Sequence, residues 1–140
     1  MSDAATCMER LDSYSLELDK LSNELASTER LLGGWTNPDG QRVVGIEEEY
    51  ETFLDRWETA CWDRHEKDDA KLPAEKMRLR LARREMPSEL LGKHTELLAK
   101  RKRIEKRISA LKSEIEAQRS ILSALKLEAE ASGNGLRRTA

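Results

Sequence analysis

The chain has 140 residues and a mass of 16.0 kDa, which is enough for one domain with one hydrophobic core. Hydrophobic residues make up 38% of it, aromatic residues 4% and charged residues 37%, against a usual charged share of about 25%. This composition argues against a β-sandwich, a β-barrel, a long disordered chain or a thick globular core, and it favours long, thin helices. We expect an all-α, oligomeric protein: an elongated helical hairpin or bundle forming one domain over residues 1–132, with a flexible tail over 133–140.

The distribution of charge is uneven. The formal net charge is −2, yet residues 1–60 carry five Lys and Arg against fourteen Asp and Glu, whereas residues 61–140 carry twenty against thirteen. Such asymmetry indicates either that the second half faces a polyanion or that the two halves attract each other, within the chain or between subunits. The sequence leaves both alternatives open.

The chain lacks the signals of a membrane or exported protein. No apolar run approaches the ~18 residues that a membrane span requires, and the first ten residues lack a basic patch followed by an apolar stretch. Cys7 and Cys61 are too few and too far apart for a disulfide framework or a structural zinc site. We therefore expect a soluble, cytoplasmic protein with two reduced thiols.

The first predicted element is a coiled-coil-like helix over residues 1–33. Its apolar positions alternate steps of three and four, which is typical of a helix that buries one narrow stripe. These positions are Leu11, Tyr14, Leu18, Leu21, Leu25, Thr28 and Leu32. The paired glycines Gly33 and Gly34 should end the helix, because glycine has poor helix propensity and adopts left-handed backbone conformations readily.

A turn or hairpin is predicted over residues 34–45. Asn37-Pro38-Asp39-Gly40 is a strong turn signal, because proline fixes the backbone at the second position of a β-turn and glycine suits the fourth. Trp35 and Thr36 precede this turn, and Val43 and Val44 follow it. We expect a small β-hairpin or an ordered loop.

Two further helices are predicted before residue 88. The first, over residues 46–72, carries most of the aromatic residues on one stripe, and the second is a short basic helix over 73–86. Pro73 can sit in the first turn of that short helix or mark a kink, and Pro87 should end it, with Ser88 capping the next helix. The aromatic-bearing stripe consists of Ile46, Tyr50, Phe53, Trp57 and Cys61.

The last predicted helix covers residues 88–131. Two polar residues, Arg101 and Gln118, occupy positions in its apolar seam. They could specify register or contact a partner, or their long side chains could reach solvent from a loose bundle. The apolar seam positions are Leu97, Ile104, Ile108, Leu111, Ile115, Leu122 and Leu125.

Catalytic motifs are absent from the sequence. It contains no Walker-type glycine loop, no HExxH and no nucleophile elbow, and it has only two histidines, His65 and His94. Cys61 and His65 are four residues apart and could share a helix face, but two ligands without further partners make a weak metal site. We expect no enzyme activity, no metal and no cofactor.

The most informative feature is a basic segment over residues 71–112, which holds fourteen Lys and Arg against five acidic residues. On helices these side chains can neutralise successive phosphates, which favours binding of single-stranded nucleic acid without sequence specificity. The alternative is a solvated helix face that neutralises the acidic half of the chain. Trp57 belongs to the apolar stripe and should be core, whereas Trp62 could be a packing residue or a stacking platform.

The layout of an aromatic-bearing helix, a basic helix between two prolines and a terminal helix beginning Lys100-Arg101-Lys102-Arg103 resembles the UvsY-type recombination mediators of bacteriophages. The resemblance spans about residues 46–130. It implies a ring-like homo-oligomer that binds single-stranded DNA, loosens the single-strand-binding protein and helps load a RecA-like recombinase. If the protein is phage-encoded, it acts in the host cytoplasm.

In that family, Lys and Arg on the helix before the terminal helices contact DNA. The matching residues here are Arg64 and Lys67. The charge pattern itself places the DNA surface further along the chain. Its candidate residues are Lys76, Arg78, Arg80, Arg83, Arg84, Lys100 and Arg101.

A second hypothesis is a coiled-coil scaffolding protein, for instance in phage assembly, in which acidic and basic halves pair between subunits and nucleic acid has no part. Under either hypothesis we expect oligomerisation through the seams over residues 11–32 and 97–125.

Overall fold

The computed structural model describes the backbone of residues 3–139 and the side chains of residues 3–132. Over these residues it contains helices and one short antiparallel hairpin, which confirms the predicted all-α architecture with a β-hairpin. The elements are α1 (Ala4–Gly33), β1 (Trp35–Thr36), β2 (Arg42–Val43), α2 (Ile46–Asp68), α3 (Glu75–Glu85) and α4 (Ser88–Thr139). α4 continues to Thr139, eight residues beyond its predicted end and into the segment expected to be a flexible tail, and the side chains of residues 133–140 lie outside the described ones.

The helix ends differ from the predicted ones by a few residues. α2 ends at Asp68, four residues earlier than expected, because Asp69 takes a left-handed backbone conformation with φ of 52°. The Nδ1 nitrogen of His65 donates a hydrogen bond of 2.6 Å to the carbonyl of Ala70 and so closes this end of the helix. Pro73 lies in the connection before α3, outside the helix.

α4 begins at the predicted residue, but a different residue occupies its capping position. The helix begins at Ser88 itself, and the backbone N–H of Leu91 donates to the carbonyl of Pro87 over 3.1 Å. Pro87 therefore occupies the position just before the helix, where the missing N–H of proline costs nothing. Ser88 was expected there, and it lies inside the first turn instead.

The chain forms two compact units. The terminal unit comprises residues 1–25 and 103–140, and the central unit comprises residues 26–102. Each unit has its own buried side chains.

In the terminal unit, α1 packs against α4 through the predicted seams. Cys7 and Leu111 are fully buried, and Ile104 and Ile115 are almost so, whereas Leu16, off the stripe of α1, is 72% exposed. The predicted seam residues of α1 from Leu11 to Leu25 are only half-buried, so a single chain covers this part of the seam incompletely. Oligomerisation through the seams remains a prediction.

Three polar features accompany this pair of helices: a cap at the start of α1, an ion pair between α1 and α4, and a buried amide on α4. The Asp3 carboxylate accepts a hydrogen bond of 2.8 Å from the backbone N–H of Thr6, which caps α1 and lowers the pKa of Asp3. The guanidinium of Arg107 donates two hydrogen bonds, of 2.8 and 3.1 Å, to the two carboxylate oxygens of Glu17. The amide oxygen of Gln118 is buried and accepts no hydrogen bond from residues 3–132, so this oxygen does not reach solvent.

In the central unit, the hairpin turns tightly back on the end of α1. The Asn37 side chain accepts a hydrogen bond from the backbone of Gln41 over 2.8 Å, and the N–H of Gly40, whose φ is +81°, donates to the Asn37 carbonyl over 3.0 Å. This is a β-turn followed by a left-handed glycine, as the Asn-Pro-Asp-Gly sequence predicts. The chain then passes so close to α1 that a Cβ on Gly45 would collide with the carbonyl oxygen of Leu32.

The centre of the same unit is built around an aromatic stack. The ring of Tyr50 on α2 lies parallel to the imidazole of His94 on α4, with 3.9 Å between the ring centroids. Both residues are buried, together with Ala82 of α3 and Met86 at its end. His94 lies three residues before Leu97 and thus continues the seam of α4 towards its start.

The close approach at Gly45 makes that position sensitive to any side chain. We expect Gly45→Ala to lower the free energy of unfolding by about 1–3 kcal/mol, because the backbone of α1 or of the hairpin must move. Gly92→Ala is the matched control, since nothing lies within 4 Å of its Cβ position in α4, and it should stabilise the protein by about 0.5–1 kcal/mol. Urea unfolding measures the stability of both variants. The same change in the free energy of unfolding for Gly45→Ala and Gly92→Ala would contradict the close approach at Gly45.

The ion pair of the terminal unit predicts a pH dependence. The Arg107 guanidinium, through its hydrogen bonds, lowers the pKa of Glu17 below its ordinary value of 4.5. The stabilisation by this pair is therefore complete above about pH 4.5 and is lost as the pH falls through the lower, folded-state pKa. An NMR titration of the Glu17 carboxyl should show a midpoint below 4.5 that rises in Arg107→Gln. The same midpoint in both proteins would show that the pair does not form in solution.

Candidate nucleic-acid interface

The short helix α3 has two faces of different character. Arg78, Ala82 and Met86 follow one another at intervals of four and face the rest of the central unit, where Ala82 and Met86 are buried. Lys76, Arg80 and Arg84 also follow one another at intervals of four, on the opposite side, and all three are exposed. Successive members of such a row are separated by about 6 Å along the helix axis.

Arg78 is held against α2 by its guanidinium. Its Nε donates to Oε1 of Glu58 over 2.8 Å, and its Nη1 donates to the carbonyl of Pro73 over 2.7 Å. Only 13% of the side chain is exposed. Among the predicted DNA contacts, Arg78 therefore fastens α3 and the preceding connection to α2.

Arg83 is also used within the fold. Its Nε donates a hydrogen bond of 2.8 Å to the hydroxyl of Tyr50, and its guanidinium carbon lies 5.9 Å from the centroid of that ring. Because Tyr50 stacks on His94, Arg83 links α3 to the aromatic centre of the unit. Its Nε is used by the Tyr50 hydroxyl, although the residue as a whole is exposed.

The three remaining predicted residues of α3 are available to a ligand. The side chains of Lys76, Arg80 and Arg84 make no hydrogen bond or ion pair with any of residues 3–132. We call these three residues the α3 stripe. A row of exposed, unpaired cations is the arrangement that a polyanion requires.

The other predicted residues lie on neighbouring helices. Arg64 and Lys67 are exposed near the end of α2, and Nε of Arg64 donates to the carbonyl of Ala60 in its own helix over 3.4 Å. On α4, Lys100 is exposed, whereas Arg101 is half-buried in the seam. Sequence neighbours in the basic segment thus differ in exposure.

Other cations of the basic segment are paired with carboxylates. Lys93 forms an ion pair of 3.0 Å with Glu89 one turn earlier on α4, which lowers the pKa of Glu89 and raises that of Lys93. In the terminal unit, Arg107 is paired with Glu17. Part of the positive charge is therefore balanced within the chain.

The two tryptophans of α2 occupy different environments. Trp57 is half-buried, and its indole N–H donates to the carboxylate of Glu85 on α3. Trp62 is 42% exposed, and its indole N–H donates to Oε1 of Glu58 over 3.1 Å. Sequence reasoning missed Glu58, which receives hydrogen bonds from both Trp62 and Arg78. The spacing of four between Glu58 and Trp62 was the available signal.

The described residues contain neither a cluster of metal ligands nor a membrane-spanning helix. Among the described residues, no group of three or more His, Cys, Asp or Glu side chains could hold a metal ion. No helix in this part of the chain is both long and apolar enough to cross a membrane.

Cys61 is half-buried, and His65 uses Nδ1 for the Ala70 carbonyl and places its ring edge-on to Trp62.

Comparison with known proteins gives no match: no family model, no curated protein and no solved structure is similar to this chain.

The two faces of α3 should respond differently to substitution. We expect Arg78→Ala to lower the free energy of unfolding by about 2 kcal/mol, because Glu58 and the Pro73 carbonyl lose a charged donor and the packing of the side chain is lost. Arg80→Ala removes the same charge from the exposed face and should change the free energy of unfolding by less than about 0.5 kcal/mol. Urea unfolding followed by circular dichroism measures the free energy of unfolding of each variant. Equal losses in the two variants would contradict the assignment of the faces.

Proposed function

We propose that this protein binds single-stranded DNA through the α3 stripe and acts as a recombination mediator that helps load a RecA-like recombinase onto DNA coated with single-strand-binding protein. The observation that carries the proposal is the α3 stripe itself: three exposed cations, one helical turn apart, that no residue among 3–132 neutralises. On the same helix, Arg78 is held on the opposite side by acceptors on α2 and in the connection before α3, and Nε of Arg83, beside the stripe, donates to Tyr50 on α2.

The physical argument is electrostatic. Each cation that neutralises a phosphate releases condensed counterions, so that binding is strong at low salt and weakens as the salt concentration rises. Contacts to phosphates carry no sequence information. The proposed binding is therefore tolerant of sequence.

Three contacts per chain give weak binding, and assembly would strengthen it. Several copies acting on one strand convert later binding steps into intramolecular ones, which raises the overall affinity without any new contact. A homo-oligomer, acting in the cytoplasm or in the host cytoplasm if the protein is phage-encoded, is part of the proposal for this reason. The recombinase and the single-strand-binding protein enter it through the resemblance to UvsY-type mediators alone.

The second candidate function is a coiled-coil scaffold without nucleic acid. It is favoured by the pairing of Glu17 with Arg107 and of Glu58 with Arg78, which join the acidic and basic halves of the chain. In this view the basic segment balances the acidic one. The α3 stripe, which has no such partner among the described side chains, distinguishes the two candidates.

Fluorescence anisotropy of a labelled oligothymidylate, titrated with the protein at several salt concentrations, tests the proposal. The variant Lys76→Ala/Arg80→Ala/Arg84→Ala should bind at least tenfold more weakly at low salt. Its plot of log affinity against log salt should be flatter by about 2, since each lost phosphate contact removes about 0.7 from the slope for a single strand. A duplex of the same length should compete less well.

The matched control removes three exposed cations from α4, as Lys112→Ala/Arg119→Ala/Lys126→Ala. It changes the net charge by the same amount, so that general attraction falls equally in both variants, and its salt slope should stay near that of the parent protein. Equal losses in the two variants would reject the α3 stripe as the site. Absence of binding by the parent protein at low salt would leave the scaffold as the function.

A further inference from the structure

Trp62 lies outside the apolar stripe of α2, and its indole is exposed to solvent. It is 42% exposed, whereas Trp57, one and a half turns earlier, is half-buried and bonded to α3. Exposing a large aromatic surface to water is unfavourable, and such residues are common where a ligand covers them. The surroundings of the indole indicate which ligand fits.

The indole is held in place by three neighbours. Its N–H donates to Oε1 of Glu58, the same oxygen that accepts from Nε of Arg78. The Arg78 guanidinium carbon lies 5.7 Å from the ring centroid, and the His65 ring meets the indole edge-on at 6.0 Å. A ring whose orientation is fixed before binding loses little conformational entropy when a ligand stacks on it.

A groove between α2 and α3 lies beside this cluster. It has a volume of about 550 Å³, and its lining includes Glu58 and Arg78, which hold Trp62, together with Lys76 of the α3 stripe. The apolar part of its lining consists of Leu54, Leu79 and Ala82, and the acidic part also includes Asp55 and Glu75. Carboxylates in the groove repel phosphates, so a bound strand would keep its backbone on the outward cations and turn its bases towards the groove.

We propose that Trp62 is a stacking platform for an unpaired base of the single strand whose phosphates follow the α3 stripe. This inference rests on the proposed binding of single-stranded DNA. It adds a reason for preferring single strands, because a base inside a duplex is already stacked and cannot offer its face to the indole. Stacking tolerates every base, in agreement with binding that does not depend on sequence.

The first test uses the unaltered protein and two labelled probes of equal length, an oligothymidylate and an oligonucleotide of abasic sites. Both probes carry the same phosphates, and only the first can stack. We expect the protein to bind oligothymidylate about fivefold or more tightly than the abasic strand, the ratio expected for one stacked base. Equal affinities would overturn the inference.

The second test changes the ring. Trp62→Leu keeps an apolar side chain with good helix propensity but no aromatic face, and it should weaken oligothymidylate binding about fivefold while leaving the abasic strand and the salt slope unchanged. Trp62→Phe should stay within about twofold of the parent protein. Trp35→Leu is the matched control, because Trp35 in the hairpin is similarly exposed, at 38%, and lies over Arg30.

The outcomes separate this inference from the proposed function. Failure of the parent protein to bind either probe would reject the proposed function. Strong binding of both probes, lost in the triple variant of the α3 stripe but unaffected by Trp62→Leu, would support that function and overturn the role of Trp62. A loss in Trp35→Leu equal to that in Trp62→Leu would also overturn it.

Discussion

The ion pair between Arg78 and Glu58 is the interaction on which the candidate site depends. It fixes α3 against α2, and Nη1 of Arg78 also donates a hydrogen bond to the Pro73 carbonyl in the connection between the two helices. Once Arg78 faces inward, the periodicity of the helix requires Lys76, Arg80 and Arg84 to face outward. The same carboxylate orients the Trp62 indole. The inward position of Arg78 thus determines which cations of α3 face outward.

The protein separates its positive charges into two groups. One group forms hydrogen bonds and ion pairs within the fold, as Arg83 does with Tyr50 and Arg107 with Glu17. The other includes the α3 stripe, and it also contains exposed cations of α4, such as Lys100 and Lys106, that make no hydrogen bond or ion pair with residues 3–132. A count of charges along the sequence cannot distinguish the groups, because members of both lie on one short helix. Within α3, the difference in pairing leaves one row of exposed cations.

The sequence predicts the helices and the hairpin because both follow from local rules. The three- and four-residue steps from Leu11 to Leu32 determine the buried side of α1, and Asn37 to Gly40 determine the turn. The partners of the charged side chains could not be predicted, since the Arg78 and Arg83 contacts join residues 20 and 33 positions apart. The end of α2 was missed because the left-handed conformation of Asp69 has no clear sequence signal.

The composition of the terminal unit has a consequence for synthesis of the chain. Residues 26–102 form the central unit, whereas the α1 segment of the terminal unit packs on residues that follow Lys102. Glu17 and Arg107 are 90 positions apart in the chain. On the ribosome, the central unit can fold while the apolar seam of α1 still lacks its partner. The first part of α1 is therefore exposed to aggregation or to capture by a chaperone until the residues of α4 that cover it have been synthesised.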